Sequence, residues 1–529
     1  MAAGGPRGPP AACTAGGSRD RSEGEGMGAS ESSAPPDGGA AWGTPAARWM
    51  LTATVLASGM AFLDSTVVNV ALPAIGGELD AGVSGLQWTA NGYMVTLSAL
   101  ILLSGSLSDR FGRVRVFSAG VAWFALASAL CSLATTLEWL IAGRVLQGVG
   151  GALLTPGSLA ILQAGFRKRD RARAIGAWSG LTGVAAAIGP FAGGWLVDLG
   201  SWRLIFLINL PLAAVVLLIA RFRLAESRDP QASERLDYPG ALLGMVGLAA
   251  LTYALITAGE TGPGDWRVLA AAGAGAAALA AFAAVELRSS HPMLPLDIFA
   301  SSRFTITNAV TVLMYGALGP LLFLLVIYLQ EVLGYSALEA GAASLPITLL
   351  MLALSGQSGR LAERIGPRWQ LGFGPLVLAA GLVVLSRLAP GASYLTGVLP
   401  GVLLVGAGLS AAVAPLTATV LASAAERHAG LASGVNNTLA RTAQLIGVAA
   451  VPVLAGVSGA AGISGGFGPA MLIIAAAAAL AGLLALALLR SRPSVPAAER
   501  SFCGVSGPPM AGCPGSSAGE PLRGGGETS

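Results

Sequence analysis

The chain has 529 residues, of which 54% are hydrophobic and only 11% are charged. Soluble chains average about a quarter charged residues, so most of this chain is expected to face lipid. The formal net charge of +4 is small for a nucleic-acid-binding protein, and the four Cys residues form no C-x-x-C pair. We therefore expect no nucleic-acid partner, no metal and no cofactor.

The two ends of the chain are predicted to be tails, with a polytopic membrane region between them. Residues 1–46 and 491–529 are rich in Gly, Ala, Pro and Ser, which bury too little apolar surface to fold, so both tails are expected to be disordered. Between them lie fourteen apolar runs, and a membrane-spanning helix needs about 20 apolar residues. Arginines follow the even-numbered runs, which places those connections and both termini in the cytoplasm.

The first apolar run contains an acid, Asp64, well inside it. An ionisable side chain at the centre of a spanning helix costs about 2.5–3.5 kcal/mol on insertion scales, so it marks a function or a buried partner. Asp64 is therefore a candidate to bind and release a proton, and the alternative is a structural acid paired permanently with a cation. Arg144, in the fourth run and the same half of the membrane, is the candidate partner. The sequence leaves open whether the two side chains touch.

A short polar loop with the pattern G-x-L-x-acid-R-x-G occurs twice, after the second run and after the tenth. Its fixed residues are Gly105, Asp109, Arg110 and Gly112, then Gly359, Glu363, Arg364 and Gly366. Such a repeat indicates two related membrane halves. Topology alone requires short basic turns at these places, but the shared acid and glycines exceed that requirement. We expect the two acids to hold the cytoplasmic ends of the halves together by ion pairs that break during movement.

The fifth run carries small residues on one side of a helix. They are Gly176, Gly180, Gly183, Ala187, Pro190 and Gly194. Small side chains let a neighbouring backbone approach closely, and the proline adds a kink. Tight packing without any further role is the alternative interpretation.

The thirteenth run carries a polar face formed by Ser433, Asn437, Arg441 and Gln444. A polar face within a membrane is tolerated only against protein or water. It is expected either to line a central cavity or to join an interhelical hydrogen-bond network.

Several of these segments resemble motifs of the major facilitator superfamily. The two repeated loops resemble the signature between the second and third helices of each half. Residues 63–73 and 144–151 resemble the first-helix and fourth-helix motifs of its drug:proton antiporters, and residues 430–441 resemble a further antiporter segment. Residues 180–194, with Gly180, Gly183, Gly189, Pro190, Gly193 and Gly194, resemble the antiporter motif of the superfamily's exporters.

The resemblance implies an all-α polytopic membrane protein with fourteen transmembrane helices in a six plus two plus six arrangement. The expected domains are a six-helix bundle at 47–221, a linker with two inserted helices at 222–303 and a second six-helix bundle at 304–490. Asp64 and Arg144 are then the expected proton-coupling residues. Asn437, Arg441, Gln444 and Gln147 are the residues expected to line the substrate cavity.

The function that the resemblance implies is proton-coupled export of a small amphipathic drug or antibiotic by alternating access. The expected partners are that substrate, protons and the lipid of the cytoplasmic membrane, with the chain acting as a monomer. No catalytic residue is expected, and the absence of a Walker-type motif argues against direct use of ATP. A proton-coupled uptake symporter and a non-transporting membrane receptor are the alternatives. Neither the tenth nor the thirteenth run holds an acid in its middle, which argues against recognition of a cationic drug.

Overall fold

The computed structural model describes residues 39–228, 237–289, 294, 296–423, 429–457 and 459–489. The described residues from Gly39 onward belong to one compact unit, and they are almost entirely helical. A short 3₁₀ segment, Leu296–Ala300, precedes the helix that begins at Ser302, and a short π-helical segment, Tyr394–Val398, precedes the helix that begins at Leu399. The first seven helices are α1 (Pro45–Leu79), α2 (Val83–Phe111), α3 (Arg113–Ser132), α4 (Leu137–Gly165), α5 (Lys168–Asp198), α6 (Leu204–Arg223, interrupted at Ile208) and α7 (Tyr238–Thr261). The other seven are α8 (Trp266–Arg288), α9 (Ser302–Glu331), α10 (Ala337–Ile365), α11 (Pro367–Leu385), α12 (Leu399–Ala422), α13 (Ala429–Leu454) and α14 (Gly459–Leu488).

Thirteen of these helices are long and apolar enough to cross a membrane, as judged over the described residues. The helix outside this set is α13, which has 26 residues and contains Asn436, Asn437, Arg441 and Gln444. The all-helical polytopic fold is confirmed, whereas the count of fourteen membrane spans stays a prediction.

Helix boundaries follow from local capping chemistry. Thr44 and Thr136 begin α1 and α4, because their side-chain oxygens accept a backbone N–H of the first turn. At the start of α10, Ser336 and Glu339 form a reciprocal capping box. The turns between α2 and α3 and between α10 and α11 each contain one glycine with a positive φ, Gly112 at 111° and Gly366 at 85°. The left-handed backbone explains why glycine recurs at this place in both loops.

The helices pack in one pattern that occurs twice. In α1–α6, α4 packs against α2 and α3, and α1 packs against α5 and α6. In α9–α14, α12 packs against α10 and α11, and α9 packs against α13 and α14. This correspondence at an offset of eight helices agrees with the repeated loops, while the domain boundaries at 221 and 304 stay predictions. The inserted pair α7 and α8 packs together, and α7 also contacts α2 and α13 through a cluster of Val95, Leu248 and Leu445.

The two ends of the helix bundle differ in how closely its halves approach each other. We call the end with the Gly112 and Gly366 turns the repeat-loop end, and the opposite end the far end. At the far end the halves are hydrogen-bonded, with Gln330 Nε2 donating to the Val70 carbonyl at 2.9 Å and Gln87 Nε2 donating to the Val448 carbonyl at 2.7 Å. The halves are thus joined at the far end by polar contacts between helices.

The stretch before α1 differs from the prediction of a disordered tail over residues 1–46. Ala40 pairs with the α4–α5 connection, since its N–H donates to the Gly165 carbonyl at 2.7 Å and its carbonyl accepts from the Arg167 N–H at 3.2 Å. The N–H of Trp42 donates to Asp170 Oδ2 at 3.0 Å. Hydrogen bonds to residues 165–170 therefore hold this stretch in place. The rest of that tail, and the tail at 491–529, lie outside the described residues.

Candidate functional site

A buried carboxylate lies near the midpoint of α1. The side chain of Asp64 is almost fully buried. Its Oδ2 accepts a hydrogen bond from Arg144 Nη1 at 2.6 Å, and its Oδ1 accepts from Gln147 Nε2 at 2.8 Å and Asn209 Nδ2 at 3.2 Å. The charge that was expensive to bury is thus compensated by one cation and two amides from α4 and α6. The structure shows the contact between Asp64 and Arg144 that the sequence left open.

Arg144 also contacts two residues of α2. Its Nε donates to the Thr89 carbonyl at 3.1 Å, and its guanidinium carbon lies 4.7 Å from the centroid of the Tyr93 ring. Ser128 of α3 accepts from Gln147 Nε2 at 2.8 Å and from Asn209 Nδ2 at 3.3 Å. We call this group the Asp64 network; its members are Asp64, Thr89, Tyr93, Ser128, Arg144, Gln147 and Asn209. Five helices of the first half contribute to it.

The glycines after Arg144 bring these helices close enough to form the network. A methyl group at Gly150 would come within 2.7 Å of the Phe124 amide nitrogen in α3, and one at Gly148 would collide with Tyr93 and Thr96 of α2. In the stretch 144–151, the long polar residues therefore bind Asp64 while the glycines admit the neighbouring backbones. The resemblance of this stretch to a fourth-helix motif has a direct structural reason.

A cavity of about 100 Å³ lies between the two halves, beside the Asp64 network. Its walls come from α1, α2, α4, α9 and α13, and they include Asn69, Asn91, Tyr93, Arg144 and Gln444. Sites that enclose drug-sized ligands are typically about 300–1,000 Å³. This cavity by itself therefore encloses too little space for such a ligand. Arg144 both lines the cavity and pairs with Asp64, so a ligand in the cavity would contact the partner of the acid.

The residues predicted to line the substrate cavity separate into two groups. Gln444 lines the cavity, and Arg441 lies one helical turn away on the same face of α13, with Asn437 a further turn along. Gln147 forms the other group, and its place at the substrate cavity stays a prediction. Its side chain is completely buried and is absent from the cavity wall, because its amide is hydrogen-bonded within the Asp64 network.

The neighbouring face of α13 forms the interhelical hydrogen bonds that were the alternative for the polar stripe. Asn436 Nδ2 donates to Asn308 Oδ1 at 3.0 Å and to Thr311 Oγ1 at 2.8 Å, both in α9. Asn437 instead accepts from Arg441 Nε of its own helix at 3.2 Å. The two faces of α13 thus serve different purposes: one packs within its half and the other points towards the first half.

The first repeated loop is held by acids that come from two places. Asp109 pairs with Arg113 of the same connection at 2.7 Å in the described conformation. The expectation that this acid joins the two halves during movement stays a prediction. Glu226, beyond α6, accepts from the N–H groups of Val114 and Arg115 at 3.0 Å each and thereby caps α3. The side chain of Glu363 lies outside the described residues. The sequence analysis missed Glu226, which follows an apolar run without any distinguishing spacing.

The small-residue face of α5 makes contact only towards the far end. A methyl group at Gly193 would come within 3.1 Å of the Val67 Cα in α1, and one at Gly194 would come within 2.6 Å of the Leu338 Cα in α10. Asp198 Oδ2 accepts from the Leu338 N–H at 3.1 Å. In contrast, a methyl group at Gly180 or Gly183 would meet nothing within 4 Å.

The corresponding half of α10 is equally open. A methyl group at Gly356 or Gly359 would also meet nothing within 4 Å, although both lie on the helix face of Gly341, which packs against Pro190. Gly105 is likewise free of neighbours. The facing surfaces of α5 and α10 therefore meet at the far end and separate towards the repeat-loop end.

Comparisons with known proteins agree with this architecture. The model of the Major Facilitator Superfamily matches residues 54–448. The methylenomycin A resistance protein of Bacillus subtilis (strain 168) is 36% identical over 455 residues, which cover 84% of this chain and 96% of that protein. The tetracenomycin C resistance and export protein of Streptomyces glaucescens is 35% identical over 404 residues, 76% of this chain and 75% of that protein.

Solved structures show the same fold at low sequence identity. The crystal structure of the POT family transporter PepTSo has a TM-score of 0.62 and 15% identity, covering 83% of this chain and 97% of that one. The extent of the family match and the identity to the relatives establish that this chain belongs to the major facilitator superfamily. The chain is thus a multi-pass membrane transporter and not an enzyme.

Proposed function

As a member of the major facilitator superfamily, the chain is a transporter, and we propose that it exports a small amphipathic antibiotic or drug in exchange for protons. The names of the relatives support export, since they are resistance and export proteins for antibiotics. The substrate, the protons and the surrounding lipid are the partners of the protein, which works as a monomer. Because no relative reported above is described as an uptake system, export is favoured over proton-coupled uptake.

The orientation that we propose places the repeat-loop end in the cytoplasm. Arginines concentrate at this end, for instance Arg110, Arg113 and Arg115 around the first loop and Arg364 and Arg368 around the second. Cytoplasmic connections carry such an excess of cations. With both termini cytoplasmic, the separation of α5 and α10 at the repeat-loop end makes the described conformation open to the cytoplasm.

The observation that carries the proposal is the ion pair between Asp64 and Arg144 beside the cavity. Both oxygens of Asp64 accept hydrogen bonds, and Arg144 is one of the donors. In the orientation that we propose, this ion pair forms while the cavity faces the cytoplasm. An exporter in this state is ready to receive substrate from the cytoplasm. Protonation of Asp64 from outside removes the negative charge that holds Arg144, so the guanidinium is free to shift within the cavity wall and substrate binding is altered.

Coupling then follows from the sharing of Arg144 between two sites. Substrate in the cavity contacts the guanidinium of Arg144. A proton competes with the same guanidinium for the carboxylate of Asp64. Each ligand changes the free energy with which the other binds, which is the requirement for coupled exchange. Rocking of the two halves moves the access of the cavity from one side of the membrane to the other.

Resistance in a sensitive host tests export directly. Expression of the parent protein is expected to raise the tolerated concentration of methylenomycin A or tetracenomycin C, the compounds in the names of the relatives, and an uncoupler is expected to abolish cellular efflux of the same compound. A parent protein that changes neither tolerance nor cellular accumulation would contradict export of these compounds. Accumulation that rises with expression would instead support uptake.

A further inference from the structure

The mechanism above leaves Arg441 in α13 without a role. Its side chain is 9% exposed, its Nε donates to Asn437 Oδ1 at 3.2 Å, and its guanidinium carbon lies 5.6 Å from the centroid of the Phe62 ring. Neither neighbour carries a negative charge. No ion pair among the described residues includes Arg441. A buried cation without an acid is costly, so its retention requires a purpose.

The charges in the middle of the membrane do not balance. Within the described helices, the central segments hold two arginines, Arg144 and Arg441, and one acid, Asp64. Asp64 and Arg144 neutralise each other at 2.6 Å. Arg441 therefore leaves one uncompensated positive charge in a region of low dielectric, where its attraction for an anion is strong.

The position of Arg441 puts this charge one helical turn from the cavity wall. Gln444, one helical turn along the same face, lines the cavity between the halves. Tyr93 lines the cavity as well, and its ring centroid lies 4.7 Å from the guanidinium carbon of Arg144. Arg441 thus lies beside the cavity on the side of the second half, opposite the Asp64 network.

The apolar surroundings define the rest of the ligand. The ring of Phe62 lies next to Arg441, and that of Tyr93 forms part of the cavity wall. Aromatic faces favour flat, apolar ring systems. A guanidinium presents paired donors in a plane, which matches a carboxylate. Together these groups select a molecule with an aromatic body and one acidic group.

We propose that the exported molecule is an organic anion, a carboxylate or phenolate on an apolar ring system, and that Arg441 binds its negative charge. This inference rests on the proposed export function and specifies its substrate class. The membrane potential, negative inside, adds to the driving force, since it pushes an anion outward. An anion bound at Arg441 also compensates the surplus positive charge during passage through the membrane.

Two xanthene dyes with similar ring systems and opposite charges test the proposal. Purified parent protein is titrated with fluorescein, an anion, and with rhodamine 123, a cation, and binding is followed by the change in tryptophan fluorescence. We expect fluorescein to bind about tenfold or more tightly than rhodamine 123, because one partner of a buried charge pair contributes at least this much. In Arg441→Gln the two affinities are expected to become similar, and in Arg441→Lys much of the preference is expected to return.

Arg387→Gln is the matched control. It removes one positive charge from the same half, but Arg387 is exposed and lies beyond the end of α11, so the dye preference is expected to stay unchanged. A parent protein that binds rhodamine 123 as tightly as fluorescein would overturn the proposal. So would an Arg441→Gln variant that keeps the preference; this is also the result expected if Arg441 holds only a chloride ion.

A second assay separates the failure of this inference from the failure of the export function. In inside-out vesicles with an imposed pH gradient, the parent is expected to accumulate fluorescein. Preferential binding of fluorescein without accumulation would contradict export while supporting the anion site. Accumulation of rhodamine 123 with exclusion of fluorescein would contradict the anion site while supporting export.

Discussion

At the scale of residues, the main feature of the site is the set of three hydrogen-bond donors around the carboxylate of Asp64. Arg144, Gln147 and Asn209 all donate to its two oxygens. Asp64 and Arg144 were predictable, because charged residues inside apolar runs are rare and costly. Asn209 and Ser128 were missed, since small polar side chains occur in many membrane helices and nothing in the sequence shows which face another helix. For the same reason, the sequence did not show that Gln147 belongs to the Asp64 network.

We predict that Asn209→Ala weakens both stability and transport. The variant removes one hydrogen bond to a charged group, a loss of about 1.5–3 kcal/mol in the free energy of unfolding, and it leaves Asp64 less firmly held. Thermal unfolding in detergent and antibiotic efflux from cells measure the two effects.

The control is Asn436→Ala, which removes the hydrogen bonds to Asn308 and Thr311 away from Asp64. Both variants are expected to lose stability, but only Asn209→Ala is expected to slow efflux at equal expression. Parental efflux by Asn209→Ala would assign Asn209 a purely structural role.

At the scale of helices, the packing of α5 changes along the length of the helix. Towards the far end it packs on α1 and α10, and towards the repeat-loop end its glycines face open space. The spacing in the sequence predicted that these small residues share one face. It could not show that the face is occupied along only half of its length, because that depends on the conformation of the two halves.

We predict that leucine at two glycines of α5 has different consequences. Gly193→Leu places its side chain against the backbone of Val67, so the variant is expected to fold poorly and to reach the membrane in reduced amounts. Gly183→Leu is accommodated in the described conformation but obstructs the approach of α10, so it is expected to fold, to bind substrate and to transport at least about tenfold more slowly, a barrier increase of about 1.4 kcal/mol. Surface expression, substrate binding and efflux distinguish the two variants.

Gly465→Leu serves as the control for Gly183→Leu. A methyl group at Gly465 in α14 also meets nothing within 4 Å, but α14 does not pack against α5. Normal efflux is expected from this variant. If Gly183→Leu transports as fast as Gly465→Leu, the two halves do not close along this face.

At the scale of the whole molecule, the apolar runs, the repeated loops and the family resemblance were enough to predict the helical fold and its internal repeat. The packing of α9–α14 follows that of α1–α6. The cap of α3 by Glu226 and the contact of α7 with both halves were not predictable, because they join segments far apart in the chain. Polar residues of α13, Arg441 among them, are the reason why this helix is the hardest to count as a membrane span.

The central claim is that Asp64 couples proton movement to export. The direct measurement is efflux, from proteoliposomes with and without an imposed pH gradient, of the antibiotic to which the parent confers resistance. The gradient is expected to accelerate efflux by the parent and, to a lesser extent, by Asp64→Glu, which keeps a titratable carboxyl. Asp64→Asn leaves Arg144 without its buried negative partner, which is expected to destabilise the protein. Substrate binding is therefore measured first, to show that the variant is folded. Its efflux is then expected to be equally slow with and without the gradient. A gradient response of Asp64→Asn equal to that of the parent would contradict the claim, since the proton would then bind elsewhere.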